Sequence, residues 1–220
     1  MAQILKLIDA VNANDMRSVR YLIEVANVPV DQGSCLAIAA SRKKVEIVSY
    51  LLHHGANANK LDSFGTSALH YCARTNNIVN TKELLQAGAT PNARDKAGVT
   101  PLHLCSLYGW PEIVSLLLKA NATPHQSTIL GVYPMDLCVD SLLRRTKGLF
   151  DKKTDLNEMK NYLFQERHMI RNGIRDKEIL KMAQRSDIKR LQRVLYMLVD
   201  ARKNVQITDT ASLNINERSL

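Results

Sequence analysis

Gly98-Val99-Thr100-Pro101-Leu102-His103-Leu104-Cys105 is followed, 33 residues on, by Gly131-Val132-Tyr133-Pro134-Met135-Asp136-Leu137-Cys138. The same interval earlier stands Gly65-Thr66-Ser67-Ala68-Leu69-His70-Tyr71-Cys72, and one step before that Ser34-Cys35-Leu36-Ala37-Ile38-Ala39-Ala40. Cys72, Cys105 and Cys138 therefore fall in register, with Ala39 in the same slot. A second block keeps step with the first. Leu51-Leu52-His53-His54-Gly55-Ala56-Asn57 aligns with Leu84-Leu85-Gln86-Ala87-Gly88-Ala89-Thr90 and with Leu117-Leu118-Lys119-Ala120-Asn121-Ala122-Thr123. Self-similarity at such a period marks a stack of small units, each covering the apolar face of the next.

Each recurring residue has a physical task. Pro101 and Pro134 suit a first helical turn, where a missing N–H costs nothing and φ is already set. Gly55 and Gly88 fall just past a second helix, where a left-handed residue lets the last carbonyls be satisfied. Asn121 takes that place in the following unit, Asn being the next best residue there. Ile113, Val114, Leu116, Leu117 and Leu118 make a helix apolar on nearly every side, which predicts burial between neighbours.

The period, the Thr-Pro-Leu-His run at 100–103 and the closing Leu-Leu-x-x-Gly together resemble the ankyrin repeat. The resemblance is specific over 32–139 and rests on pattern alone at both ends. It implies an all-α solenoid of about six helix–turn–helix units joined by short hairpin loops, with degenerate capping units at both ends. The units run 3–31, 32–62, 63–95, 96–128, 129–171 and 172–204, together forming one domain over 1–204, with 205–220 a flexible tail. The fifth carries a charged insertion at 143–155, after which its second helix resumes near 157–163. In the sixth, a first helix near 178–183 and a second near 187–195 echo the first unit. Several positions depart from the family pattern: Ser34 to Ala37 in unit two, Ala68 and Asn76-Asn77 in unit three, and Asp136 in unit five.

Composition agrees with a helical array. Hydrophobic residues make up 45% of the chain, which favours folding over disorder, and aromatic residues only 5%, which disfavours a β-sandwich. Lys6 and Asp9 interrupt the apolar N-terminus, so it does not read as a signal peptide. No apolar run reaches the ~18 residues of a membrane span. The four cysteines accordingly read as reduced thiols of a cytoplasmic or nuclear protein, and Asn121-Ala122-Thr123 as a chance glycosylation match. The net charge of +9 is unevenly placed. Residues 1–142 hold 12 Lys and Arg against 11 Asp and Glu, whereas 143–220 hold 18 against 10.

Three cysteines in register invite a metal site, but stacked helices lie about 8–10 Å apart. Zinc needs sulfurs about 2.3 Å from one centre, and a disulfide needs Cα atoms within about 7 Å. They read as small buried packing residues. The resemblance gives His70 and His103 the task of tying neighbouring repeats together. No nucleophile and base recur at a useful spacing, and no phosphate loop or Cys-x-x-Cys occurs. Neither an enzyme nor a metal or cofactor is expected.

What remains is binding. Members of the ankyrin family usually bind partners on the concave side formed by hairpin tips and first helices. On this chain that expectation selects Arg42 and Lys43, then Tyr71, Arg74 and Thr75, then Leu104, Leu107, Tyr108 and Trp110, with Phe64 as anchor on the tips. Trp and Tyr bury large area at modest entropic cost. Trp110 has a second reading, packing beneath the neighbouring hairpin or the insertion. A monomeric protein-interaction adaptor is the first expectation. The alternative is an anion-directed module, for nucleic acid or an anionic membrane, acting through Arg185, Lys189, Arg190 and Arg193.

Overall fold

The computed structural model describes residues 2–145 and 186–216, with side chains to Arg202 except those of Gln32 and Leu143. Helices α1 (Ala2–Ala13), α3 (Cys35–Ser41), α5 (Ala68–Thr75), α7 (Pro101–Tyr108) and α9 (Pro134–Arg145) pack side by side in one row. Helices α2 (Met16–Arg20), α4 (Val45–His53), α6 (Ile78–Gln86) and α8 (Pro111–Lys119) form a second row against it. The chain leaves α2 through a π-helical turn, Tyr21–Val25. Among the described residues the only β-type pairing is an isolated bridge between Leu61 and Ser67.

The helix ends follow from the residues at them. Pro101 and Pro134 are the first residues of α7 and α9. Gly55 and Gly88 adopt φ of 83° and 80° beyond α4 and α6, and Asn121 takes φ of 63° beyond α8. Asn76, in a slot where the family uses Gly, also adopts a left-handed φ, of 54°, and the Asn77 side chain then caps α6 through the Asn80 amide. The core is a ladder of equivalent positions: Ala39, Cys72, Cys105 and Cys138 are all fully buried, as are Leu51, Leu84 and Leu117. Helix α8 is less enclosed than its composition predicts: Ile113, Val114 and Leu117 are buried, but Leu116 and Leu118 are half-buried.

The end of the stack differs from the repeat arithmetic. Helix α10 (Ser186–Asn216) packs on α9, α8 and α7, beside α8 in the second row. The repeat pattern assigns that place to 157–163 and makes 187–195 the second helix of a sixth unit. The contacts give the reason. Ile188, Leu191, Val194, Leu195 and Leu198 form a stripe at helical spacing, and all are buried. Gly109 lies beneath this stripe with φ of 73°, and a Cβ there would meet Leu191 Cγ and Cδ2 at 2.8 Å. Cys138 Sγ lies 3.4 Å from the Leu191 carbonyl oxygen. The backbone is helical past 204, where the sequence reading ends the fold, to Asn216. The insertion beyond Arg145, the helix near 157–163 and the first helix of a sixth unit lie outside the described residues.

Candidate interaction surface

Between the helix pairs, the chain turns through hairpins held by hydrogen bonds within and between the loops. In the loop before α5, Asp62 Oδ1 accepts from the Phe64 and Thr66 amides at 2.8 and 2.9 Å. Before α7, Asp95 Oδ1 accepts likewise from Ala97 and Val99 at 2.9 and 2.8 Å. Before α9, Thr128 does the same work through its hydroxyl, 3.2 Å from the Val132 amide. Successive tips are joined by backbone bonds: Lys96 N–H to Phe64 O at 3.4 Å, and Ile129 N–H to Ala97 O at 3.0 Å. With the backbone satisfied, side chains can stay in water. Phe64 is 71% exposed, Ile129 70% and Leu130 88%.

Below the tips, the first-helix row carries the other expected residues. Tyr71 on α5 donates its hydroxyl to Asp62 Oδ2 at 2.6 Å, which fixes it on the hairpin side. The Arg74 guanidinium lies over the Tyr71 ring, 5.1 Å from its centroid, and the Thr75 hydroxyl bonds back to the Tyr71 carbonyl. Burial pushes the Asp62 carboxyl up, but the Tyr71 hydroxyl and the loop amides outweigh it and hold the group below its ordinary value. Leu104, Leu107 and Tyr108 take the equivalent places on α7, all half-buried. Arg42 and Lys43 are exposed at the turn after α3, Lys43 with φ of 58°.

His70 and His103 hold this row in register. His103 Nδ1 accepts from the Thr100 amide at 3.1 Å, so Nε2 carries the proton and donates to the Val132 carbonyl of the next loop at 3.0 Å. His70 repeats the arrangement with Ser67 and Val99. Burial lowers both imidazole pKa values. A second ladder has no counterpart in the sequence reading. Asn59 Nδ2 donates to Gly88 O while its Oδ1 accepts from Thr90 N, and Asn92 does the same with Asn121 and Thr123. The signal for it is the recurrence of Asn at an interval of 33, from Asn59 to Asn92.

Trp110 stands apart from the groove residues. Its ring carries the Arg190 guanidinium of α10, 5.1 Å from the centroid, and it packs against the core. Arg193 reaches Glu112 at 3.8 Å and Arg145 reaches Asp187 at 3.5 Å. Two of the basic stripe's residues thus touch the stack, while Lys189 is exposed and Arg185 lies outside the described residues. The second reading of Trp110, as packing, has its occupant in α10 rather than in a hairpin.

None of the four cysteines is in a disulfide, and all are buried. Burial pushes the Cys35 thiol up to about 11 and those of Cys72 and Cys138 to about 12, and raises Cys105 as well. A thiol so raised stays protonated and unreactive near neutral pH. The folded protein is therefore expected to give almost no thiol with a disulfide reagent at pH 8, and all four in denaturant; a fast-reacting thiol in the native protein would contradict this packing. Among the described residues, no cluster of His, Cys, Asp and Glu is arranged to hold a metal ion. No described helix is long and apolar enough to cross a membrane.

Paired helices in two rows, left-handed residues after each second helix and tied hairpins define a helical-repeat solenoid. A family profile for ankyrin repeats in three copies matches residues 7–95 and again 36–129. The chain belongs to the ankyrin-repeat family. Ankyrin repeats are in general protein–protein interaction modules, typically without enzymatic activity. No curated protein shows a significant match to the chain.

Proposed function

We propose that the chain is a non-enzymatic adaptor that binds a partner protein through the hairpin tips and first-helix groove of its repeats. One observation carries this reading: Phe64, Ile129 and Leu130 remain exposed on loops whose own backbone bonds are already made. Large apolar side chains left exposed along one row of tips are what a protein surface keeps for a partner. Tyr71, Leu104, Leu107 and Tyr108 continue that apolar surface onto the first helices. Four buried cysteines outside any disulfide support a cytoplasmic or nuclear setting. The basic third is the weaker surface, because Arg190 and Arg193 serve in part to dock α10.

The test is proximity labelling in cells with wild type and a Phe64→Ser/Leu130→Ser variant. Hot-spot side chains contribute about 2 kcal/mol or more, so binding through the tips should weaken by at least about thirtyfold. Thermal stability should hold, since neither side chain is in the core. An unchanged set of labelled proteins would remove this reading.

A further inference from the structure

Resting on that reading, we infer that the tips receive an extended peptide segment bearing two large apolar residues about five or six positions apart, with Asp or Glu between them. The 33-residue register places Phe64, Ala97 and Leu130 at the same position of three successive tips. The outer two are large and exposed, and the middle one is a methyl group. Beside Ala97 stand Arg94 and Lys96, both exposed, where the neighbouring tips have Leu61 and Ser63 on one side and Ser127 and Ile129 on the other. The surface therefore reads apolar, cationic, apolar along the stack.

Spacing sets the ligand's length. Stacked elements lie about 8–10 Å apart, so two steps span about 16–20 Å. An extended chain advances about 3.3–3.6 Å per residue, which covers that span in five or six residues. The surface is also fixed in advance of binding. The two tip-to-tip backbone bonds hold the row together, and Gly98, with φ of 76°, permits the close approach. A Cβ there would sit 2.9 Å from the Ile129 amide nitrogen and 2.6 Å from Arg94 Nη2. A preorganised surface loses less freedom on binding.

Hydrogen-bond capacity decides the sign of the ligand. Asp62 spends both oxygens on loop amides and the Tyr71 hydroxyl, and Asp95 spends Oδ1 on the Ala97 and Val99 amides. Among the described residues, Lys60, Arg74, Arg94 and Lys96 form no ion pair with a carboxylate. Three of these four carboxylate oxygens are engaged while the cationic donors outnumber the carboxylates, which favours carboxylates on the partner. A second copy docking tip to tip would set one cationic saddle against another. A nucleic acid would use the cations and leave the flanking apolar residues idle.

The experiment is selection of a displayed random peptide library on the immobilised full chain at low salt, followed by titration of synthetic winners. Enriched sequences should carry two apolar anchors at the stated spacing with acidic residues between them. Phe64→Ser/Leu130→Ser should weaken them by about thirtyfold or more, on the order expected of hot-spot anchors. Arg94→Glu/Lys96→Glu should do the same and abolish the preference for acidic residues. The single variants Phe64→Ser and Lys96→Glu serve if either pair melts early. Neutral or basic winners that still depend on Phe64 and Leu130 would overturn this inference and leave the adaptor reading standing. Winners indifferent to both tip variants, or no winners, would overturn both. Acidic peptides or duplex DNA retained by the cations alone, indifferent to Phe64→Ser/Leu130→Ser, would mark a plain anion site and overturn the inference.

Discussion

Replacing Leu191 with Asp is expected to release α10 from the end of the stack and expose Cys138. Leu191 is fully buried, its side chain pressed on Gly109 and its carbonyl beside the Cys138 thiol. Truncating such a Leu to Ala costs about 3 kcal/mol, and an unpaired carboxylate in the same place costs more. Solenoid units are held by their neighbours, so the loss falls on the terminal contact rather than on the whole stack. A loss of 3 kcal/mol raises the open population by about a hundredfold, since about 1.4 kcal/mol is a factor of ten. Labelling at pH 8 should find Cys138 reacting about a hundred times faster than in wild type, with Cys72 unchanged. Equal slowness at the two thiols would mean that α10 is not what covers the end of the stack.

His103→Ala should cut the stack at its next joint. The imidazole satisfies the Thr100 amide and the Val132 carbonyl across two units, and its removal orphans both. Buried groups left without partners cost about 1–3 kcal/mol each, so a loss of about 3 kcal/mol is expected. For a domain of this size that corresponds to a fall in Tm of roughly 6–12 °C. Hydrogen exchange should accelerate first in α9 and α10. The same bond sets a pH dependence. Burial depresses the folded pKa of His70 and His103 below the unfolded value of about 6.5. Their stabilising contribution is therefore complete above about pH 6.5 and is lost as pH falls through the folded values, because the unfolded chain binds more protons there. The acid-side slope of Tm against pH should be shallower in His103→Ala. Identical slopes would place the acid sensitivity elsewhere.

The middle of the fold was legible because several independent residues repeat at one interval there. Cysteine, Leu-Leu and Gly or Asn marks predict α5 to α8 together, and the resemblance gives the histidine tie. The same arithmetic fails past Arg145, because a stretch without repeat marks cannot be counted through. Distance along the chain does not say which row a later helix joins. Only the buried stripe from Ile188 to Leu198 does, and its partner is visible in three dimensions. Trp110 was ambiguous for the same reason, since the helix that lies over it is distant in sequence. Phe64 is a tip anchor by residue type, whereas Ile129 and Leu130 abut the motif beginning at Gly131, and only the register, which sets Leu130 two periods from Phe64, places them on a tip. The Asn59 and Asn92 ladder is hidden in the sequence because Asn in a loop reads first as a turn former.

The buried thiols have one more consequence. Units two to five each hold a single cysteine, at Cys35, Cys72, Cys105 and Cys138, and each is buried at its own level of the stack, Cys138 beneath α10. The chain is thus indexed from within. A brief pulse of alkylating reagent during unfolding, followed by peptide mapping, would report the order in which the units come apart, without any label being engineered in.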